Sequence, residues 1–318
     1  MRRLLLKTFL ASLLPLMITA PAVAAENLKI MIGANPGGGY DQAGRGIGKA
    51  LQESGFAGNI TYENKGGAGG TIGLAQFVNS SRGDPNALVV VGGVMVGAIV
   101  QNKPPITLDN ATPIARLMAE YNVIVVPAES PWRSMGDILA QMKKDPATVK
   151  WGGGSKGSID HLSVALIARE AGIDVAKINY VPFKGGGEAT AALLGGHVSV
   201  GTSGWAELQD FVASGKMRAI AITSPVRLKD VNVPTLKEQG VNVELGNWRG
   251  LYGAPGISAE RRKALADAVA RASQTRTWNE ALAKNNWFPS LLTGPEFERF
   301  VNEDHARLRA MMAKLGMI

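Results

Sequence analysis

Residues 28–41 read LKIMIGANPGGGYD, and this stretch decides the fold. Residues 28–32 predict a short strand, because they form an apolar run bounded by turn residues. The glycine-rich turn at 36–41 ends that strand, and a helical pattern follows over 41–53. A strand that passes through a tight glycine turn into a helix is the repeating unit of an α/β protein.

The same unit recurs along the chain, where predicted strands and helices alternate. Glycine-rich turns follow strands at 64–71, 152–158 and 184–187 as well as at 36–41, and each opens a helix. At such a place backbone N–H groups point outward and the helix dipole is positive, so anions are favoured. A single such turn is explained equally well by the tolerance of glycine for tight turns. Four turns at equivalent places favour a shared anion site.

The alternation divides the chain into two parts. It restarts after Pro127 and ends before a further predicted strand at 249–254. We therefore expect two α/β lobes that are discontinuous in sequence, each built on a parallel-type sheet. Lobe 1 is predicted to contain residues 26–124 and 246–318, and lobe 2 is predicted to contain residues 125–245.

The composition is that of a folded, exported protein. Of 318 residues, 46% are hydrophobic, 19% are charged and none is cysteine, which excludes a disordered chain, a disulfide scaffold and a thiolate metal site. Residues 1–25 have a basic start, an apolar stretch and a small-residue end, which predicts a cleaved signal peptide. Its removal takes three cations from the formal charge of +8 and leaves +5. No basic cluster remains, so nucleic-acid binding is not expected, and no later apolar run is long enough for a membrane span.

One catalytic pattern is present, although no nucleotide-binding or metal-binding motif is found and we expect no cofactor and no metal. Residues 153–157 match the Gly-x-Ser-x-Gly of serine hydrolases around Ser155. Asp174 or Glu188 followed by His197 supplies the later acid and histidine in the order that such an enzyme requires. A secreted serine esterase is therefore the alternative of a different class, although the pattern is short for a glycine-rich chain.

Several segments carry a resemblance to a known family. They are PGGGYD at 36–41, NKGGAGG at 64–70, YVPFKGGGEA at 180–189, LLGGHV at 193–198 and PTLKEQG at 234–240. In this order, and over essentially the whole mature chain, they resemble the extracytoplasmic solute receptors of tripartite tricarboxylate transporters, the Bug or TctC family. The segments SPW at 130–132, KDP at 144–146 and GGGE at 185–188 look most like the tricarboxylate-binding branch of that family.

The resemblance implies a fold, a ligand class and a partner. The fold is that of a type II-like periplasmic binding protein, a non-enzymatic monomer whose two α/β lobes close on a carboxylated solute. The partner is a membrane permease of one small and one large subunit. A tricarboxylate such as citrate is the first expectation for the ligand. A dicarboxylate, an acidic amino acid or an aromatic acid such as terephthalate is the alternative, with Tyr40 and Phe183 able to flank a ring.

Carried over residue by residue, the resemblance also implies a ligand-binding site. Its members come from the turns of both lobes and are Gly38, Gly39, Tyr40, Asp41, Asn64, Gly67, Ala68, Ser155, Ser158, Lys184, Thr202 and Ser203. Asp41 is expected to accept hydrogen bonds from N–H groups at the helix start and so hold its turn, with a water or a ligand hydroxyl or amine as its alternative partner. Lys184 has two open roles, as a cation for the ligand or as an i,i+4 partner of Glu188.

Overall fold

The computed structural model describes residues 26–318, so the predicted signal peptide at 1–25 lies outside the described residues. The strands are β1 Glu26–Ile32, β2 Ala57–Asn64, β3 Ala87–Gly92, β4 Thr112–Pro127, β5 Lys150–Gly153, β6 Asn179–Pro182, β7 Val200–Gly204, β8 Met217–Ile222, β9 Gly246–Gly253 and β10 Phe288–Thr293. The helices are α1 Gly39–Glu53, α2 Thr71–Ser80, α3 Gly93–Asn102, α4 Met135–Lys144, α5 Ile159–Glu170, α6 Gly186–Leu194, α7 Trp205–Ala213, α8 Ala259–Ala272, α9 Arg276–Asn285 and α10 Gly294–Lys314. Strands and helices alternate from β1 to β8, as the sequence predicted.

The first strand group has the order β2-β1-β3-β9-β4, and β10 also pairs with β4. Strand β1 pairs in parallel with β2 and β3, whereas β9 is antiparallel to both β3 and β4. The prediction of a parallel-type sheet was therefore wrong for β9 and β4, and the sheet is mixed. Every residue of β3 is buried, as expected for a strand that helices cover on both faces.

The second strand group has the order β4-β7-β5-β6, and β8 also pairs with β4. Strand β5 is parallel to β6 and β7, whereas β7 and β8 are antiparallel to β4. Strand β4, with 16 residues, belongs to both groups. Its residues up to Tyr121 pair with β9, and its residues from Asn122 pair with β7. The sequence indicated two apolar runs here, at 114–119 and 122–126, where the structure has one strand. The residue bounds predicted for the lobes stay predictions.

Apolar side chains form separate cores around the two strand groups. Ile32, Val90 and Leu251 lie in the core of the first group, and Trp151 lies in a core of the second. The sequence also has an apolar stripe at helical spacing over residues 297–315, formed by Phe297, Phe300, Val301, Leu308, Met311, Met312 and Leu315. It is core, since all of these but Phe300 and Met311 are buried, and those two pack against the core partly buried. Among residues 26–318, no helix is long and apolar enough to cross a membrane.

Helix α3 and strand β10 were not predicted. Helix α3 continues the apolar run of β3 without interruption, and hydrophobic pattern alone does not separate strand from helix in such a run. Strand β10 is mostly half-buried and contains Pro289, so it lacks the pattern of a core strand. Residues 293–296, TGPE, have the Ser/Thr-x-x-Glu form that predicts a capping box. The box does not form, because Thr293 precedes α10 but its side chain caps no N–H group.

Two glycines of α1 provide a test of how closely this helix packs on the first strand group. A Cβ at Gly44 would lie 2.9 Å from Val90 Cγ2 and 3.2 Å from Ile32 Cδ1, whereas a Cβ at Gly46 would lie 3.4 Å from Trp278. Alanine favours a helix over glycine by about 1 kcal/mol, and overpacking a core costs about 1–3 kcal/mol. We expect Gly46→Ala to raise the free energy of unfolding and Gly44→Ala to lower it, as measured by urea unfolding. Equal gains from both variants would contradict the close packing.

Candidate functional site

A cavity of about 60 Å³ lies between the two strand groups. Its wall is formed by the turns after β1, β5 and β6, by the start of α7 and by β9. The residues of the predicted site that line it are Gly38, Gly39, Tyr40, Ser155, Lys184 and Ser203. The other six predicted residues do not line it. The glycine-rich turns therefore converge on one cavity, as their positions in the sequence predicted.

Three helices, α1, α6 and α7, begin at the wall of the cavity. The residues that precede their first turns are Gly38, Gly185 and Gly204, and all three line the cavity. A glycine has no side chain to cap the free N–H groups of the first turn. Helices α2 and α3 also begin at uncapped glycines, whereas Ser134 and Ser258 accept hydrogen bonds from the first turns of α4 and α8. The uncapped N–H groups at the cavity are suited to the oxygens of an anion.

Arg249 of β9 is the buried cation of the cavity wall, with its side chain only 4% exposed. Its Nη2 donates a hydrogen bond to Glu120 Oε1 and lies 3.4 Å from Glu207 Oε1. The guanidinium carbon lies 5.2 Å from the centre of the Tyr40 ring. A Cβ at Gly39 would lie 1.9 Å from Nη2, so glycine leaves the space that the guanidinium occupies. Within residues 26–318, Arg249 Nε has no hydrogen-bond partner.

Glu120 of β4 is fully paired behind the cavity. Its Oε1 accepts hydrogen bonds from Arg249 and from Asn247 Nδ2, the latter at 3.1 Å. Its Oε2 accepts a bond from Trp287 Nε1 at 3.1 Å. A carboxylate with this many donors is satisfied without a ligand, so Glu120 neutralises Arg249 and holds it in place.

Two further acids, Glu207 and Asp160, line the cavity. Burial raises the pKa of Glu207 to about 7; Arg249 opposes this rise, while Glu120 and Asp160 add to it. Burial also raises the pKa of Asp160 to about 6, although hydrogen bonds from Gly154 and Asn122 favour its charged form. The wall therefore contains two carboxyl groups that gain or lose a proton near neutral pH.

The turn at 152–158 is held by side chains that follow it. Asp160 accepts hydrogen bonds from Gly154 N at 2.7 Å and from Asn122 Nδ2 at 2.6 Å. His161 Nδ1 accepts a bond from Gly157 N at 3.1 Å, and burial lowers the pKa of His161 to about 4. Ser158, predicted to bind the ligand, is buried away from the cavity, where its hydroxyl accepts a bond from His161 N at 3.3 Å and caps α5.

The turn at 36–41 is held in a similar way. Asp41 Oδ2 accepts a hydrogen bond from Gly37 N at 3.0 Å, which is the turn-holding contact that the sequence predicted. Its Oδ1 accepts bonds from Arg45 Nε at 2.8 Å and Asn64 Nδ2 at 2.9 Å. Asn64 also donates to Ala34 O at 3.0 Å. Asp41 and Asn64 thus shape the turn from behind and do not line the cavity.

The remaining predicted residues lie at the margin of the cavity. Gly67 and Ala68 do not line it, but Gly69 from the same turn does. Thr202 lies in a smaller adjoining void that Ser203 also lines. Its Oγ1 is buried and has no hydrogen-bond partner within the described part of the chain.

Lys184 lines the cavity at its exposed mouth. The i,i+4 ion pair with Glu188, one of the two roles that the sequence left open for Lys184, does not form. No ion pair of its Nζ is present among residues 26–318. Glu188 instead accepts a bond from the backbone N of Lys184 at 3.2 Å and from Asn35 Nδ2 at 2.8 Å. The role of Lys184 as a cation for the ligand stays a prediction, and the Asn35–Glu188 bond joins the turn after β1 to α6 across the mouth.

Sequence reasoning missed the buried charges, which are Arg249, Glu120, Glu207 and Asp160. Arg249 stands alone in an otherwise uncharged strand, NWRGLYG. A lone charge in a core strand is the signal that could have found it, because charged side chains are rarely buried without a partner.

The residues of the alternative serine esterase are not connected. Within residues 26–318, Ser155 Oγ has no hydrogen-bond partner, so no histidine is bonded to it. Asp174 accepts a bond from Ala176 N, and Glu188 is bonded to Asn35 and to the backbone of Lys184. A serine nucleophile needs a bonded base that a third group orients, and this arrangement does not provide one.

The chain is similar to known proteins over most of its length. A family model described as "Tripartite tricarboxylate transporter family receptor" matches residues 45–317. The UPF0065 protein in the gbd 5' region of Cupriavidus necator is 29% identical over 314 residues, covering 96% of this chain and 92% of that protein.

A TctC solute-binding protein from Polaromonas, solved with no ligand, is 30% identical with a TM-score of 0.63, covering 91% of this chain and 98% of that one. MatC from Rhodopseudomonas palustris, solved with bound malate, is 24% identical with a TM-score of 0.79, covering 90% of this chain and 98% of that one. The predicted α/β periplasmic-binding fold is confirmed by this likeness.

The burial of the Arg249–Glu120 pair gives a stability prediction. Removing one partner of a buried ion pair leaves an uncompensated charge and costs about 3–5 kcal/mol. We expect Arg249→Leu to lower the free energy of unfolding by about that amount in urea titrations. The control is Arg227→Leu, because the Arg227–Glu238 pair has side chains 48% and 44% exposed and should contribute no more than about 1 kcal/mol. Equal effects of the two variants would contradict the assigned role of Arg249.

The raised pKa of Glu207 gives a prediction on pH dependence. Between the ordinary glutamate pKa of 4.5 and about 7, the folded protein keeps a proton on Glu207 that the unfolded chain has lost. The free energy of unfolding contributed by this group therefore falls as pH rises through that window. We expect Glu207→Gln to be close to the parent in stability at pH 5 and more stable than the parent at pH 8, measured by urea unfolding. A difference that stays constant with pH would show that Glu207 is already charged at pH 5.

Proposed function

Because the chain belongs to the receptor family of the tripartite tricarboxylate transporters, we propose that it captures a small carboxylate in the periplasm and delivers it to a permease of that class. The family is one of solute-binding receptors, and its solved relatives include one with bound malate. The proposal for this chain rests on the chemistry of its own cavity.

One observation carries the proposal: uncapped helix starts and unpaired donors surround the same cavity. The first turns of α1, α6 and α7 bring backbone N–H groups to the wall. Arg249 Nε and Ser155 Oγ are donors without a partner in the described chain, and both residues line the cavity. Unpaired buried donors are costly, so a carboxylate that accepts from them gains free energy on binding.

The predicted tricarboxylate specificity stays a prediction, and two features argue for a ligand with fewer charges. Glu207 and Asp160 line the cavity, so part of the wall repels an anion when these acids are ionised. Arg249, the buried cation of the wall, is already neutralised by Glu120, so it does not add a free positive charge for a third carboxylate. We propose a ligand with one or two carboxylates. Tyr40 and Phe183 both line the cavity, which also accommodates the aromatic alternative.

The remaining parts of the proposal follow the family. We propose that the chain is exported by cleavage after a signal peptide at 1–25 and acts in the periplasm as a monomer. Its partner is a permease of one small and one large subunit. It binds its ligand without a metal or a nucleotide, and it is a receptor with no catalytic function. The unbonded Ser155 supports this last point over the esterase alternative.

The test is a thermal-shift screen of carboxylic acids, followed by titration calorimetry with the acid that raises the melting temperature most. We expect Ser155→Ala to weaken binding by about ten-fold or more, because a hydrogen bond to a charged group contributes about 1.5–3 kcal/mol. Its melting temperature without ligand should be unchanged. The control Ser158→Ala should lower stability by about 1 kcal/mol through loss of the α5 cap and leave affinity unchanged.

Two results would contradict the receptor function. The first is that no acid in the screen, citrate and malate included, stabilises the protein. The second is hydrolysis of a generic ester that Ser155→Ala abolishes, which would support the esterase.

A further inference from the structure

Glu207 is the acid of the cavity wall that remains poorly paired. Its side chain is 9% exposed, and its contact with Arg249 Nη2 is long, at 3.4 Å. Glu120 competes for the same guanidinium nitrogen and has two further donors, Asn247 and Trp287. Asp160 is held on both oxygens by Gly154 and Asn122. Glu207 therefore has the greatest capacity to accept further hydrogen bonds.

The Glu207 carboxylate fills the space beside Gly186 and lies near Gly38. A Cβ at Gly186 would lie 2.0 Å from Glu207 Oε2, and a Cβ at Gly38 would lie 3.9 Å from it. The same two glycines precede or begin the first turns of α1 and α6, where an anion is favoured. An acceptor for a positive group and a set of donors for a negative group thus lie side by side in one cavity.

The charges of the wall do not match a pure anion. Arg249 is neutralised by Glu120, so the pair contributes no net charge. Glu207 and Asp160 then remain as acids in the wall, and Lys184 is a cation at the exposed mouth. A buried charge needs a partner, and the described residues offer Glu207 the long contact to Arg249, which it shares with Glu120, and the hydroxyl of Ser203.

We propose that the ligand of this cavity is a small carboxylic acid that also carries a protonated amine, with the ammonium bound by Glu207. The carboxylate lies at the first turns of α1 and α6 with Arg249 Nε and Ser155 as side-chain donors, and Asp160 adds negative potential on the ammonium side. This inference rests on the proposed receptor function and specifies its ligand. Glu207 is then the residue that selects an amino acid over the acid that lacks the amine.

A proton balance distinguishes the two kinds of ligand. The charged groups that face Glu207 are Arg249 on β9, Glu120 on β4, Asp160 on α5 and Lys184 before α6. Burial, with Glu120 and Asp160, raises the pKa of Glu207 to about 7 against the opposing effect of Arg249. An ammonium ion favours the charged carboxylate, so its binding at pH 7 releases protons. A dicarboxylate without an amine favours the neutral form, so its binding takes up protons.

The experiment uses matched acids on the whole purified protein. Succinate, malate and aspartate share a carbon chain and differ by hydrogen, hydroxyl and amine; glutarate and glutamate form a second pair. We expect each amino acid to bind at least ten-fold more tightly than its amine-free partner, by titration calorimetry at pH 7. Repeating the titrations in phosphate and in Tris, which differ in ionisation enthalpy, should show proton release for the amino acids and proton uptake for the others.

Variants at Glu207 complete the test. Glu207→Gln should remove the preference for the amine and the proton release, while succinate binds as tightly as before or more tightly. The control is Asp210→Asn on the same helix, an exposed acid outside the cavity, which should leave both unchanged. Glu207→Asp keeps the charge and should keep part of the preference if Glu207→Gln proves too unstable to measure.

The outcomes separate the two proposals. Binding of succinate, malate or glutarate as tight as that of the matched amino acid overturns the inference and leaves the receptor function intact. Retention of the preference by Glu207→Gln also overturns it. A protein that binds none of the five acids overturns the inference, and it contradicts the receptor function as well only if no acid of the wider screen, citrate included, binds.

Discussion

The buried guanidinium of Arg249 is the constraint on which the site depends. A charge that is 4% exposed must be paired within the protein, and Glu120 on the adjacent strand β4 is the carboxylate that pairs it. Asn247 and Trp287 then complete the hydrogen bonds of Glu120. The guanidinium also requires a glycine at position 39, because any Cβ there would overlap it. One buried charge therefore fixes a strand pair, the start of α1 and the floor of the cavity.

The sequence predicted the alternation of strands and helices because each element carries its own periodicity and its own turn. It predicted a strand at the position of β9 but not that this strand pairs antiparallel with β3 and β4, since pairing direction depends on partners far along the chain. Helix α3 was missed because it extends the apolar run of β3. Strand β10 was missed because it pairs with the first half of β4 and is mostly half-buried, so it lacks a regular apolar pattern. Local pattern fixes an element when burial on one face is regular, and these elements lack that regularity.

In the site too, contacts between residues close in sequence were predicted, and contacts between distant residues were not. The glycine-rich turn at 36–41 was predicted at the site because the strand-turn-helix pattern is local, whereas Gly38 and Gly39 as individual site residues followed from the family resemblance. Asp41 was correctly expected to hold its turn for the same reason, as its bond to Gly37 spans four residues. The Arg249–Glu120 and Arg249–Glu207 contacts join residues 129 and 42 positions apart, and no local pattern signals them. Ser158 caps α5 and does not line the cavity. The sequence could not show this, because a serine before a helix serves equally as a cap or as a ligand donor, depending on which way its hydroxyl faces.

The two ion contacts of Arg249 differ in what opening of the cleft does to them. Glu120 lies in the part of β4 that pairs with β9, so its bond to Arg249 stays within the first strand group. Glu207 lies on α7, which follows β7 of the second group, so its longer contact crosses the cleft. Opening exposes Glu207 to water, where a carboxylate is readily ionised, and closure removes that water and raises its pKa. Closure on an empty cavity therefore opposes the charge of Glu207, and hydrogen bonds between the two groups, such as Asn35–Glu188, offset part of this cost. A ligand that contacts the helix starts of both groups and pairs with Glu207 removes this cost, and it favours the closed state because these contacts exist in that state alone.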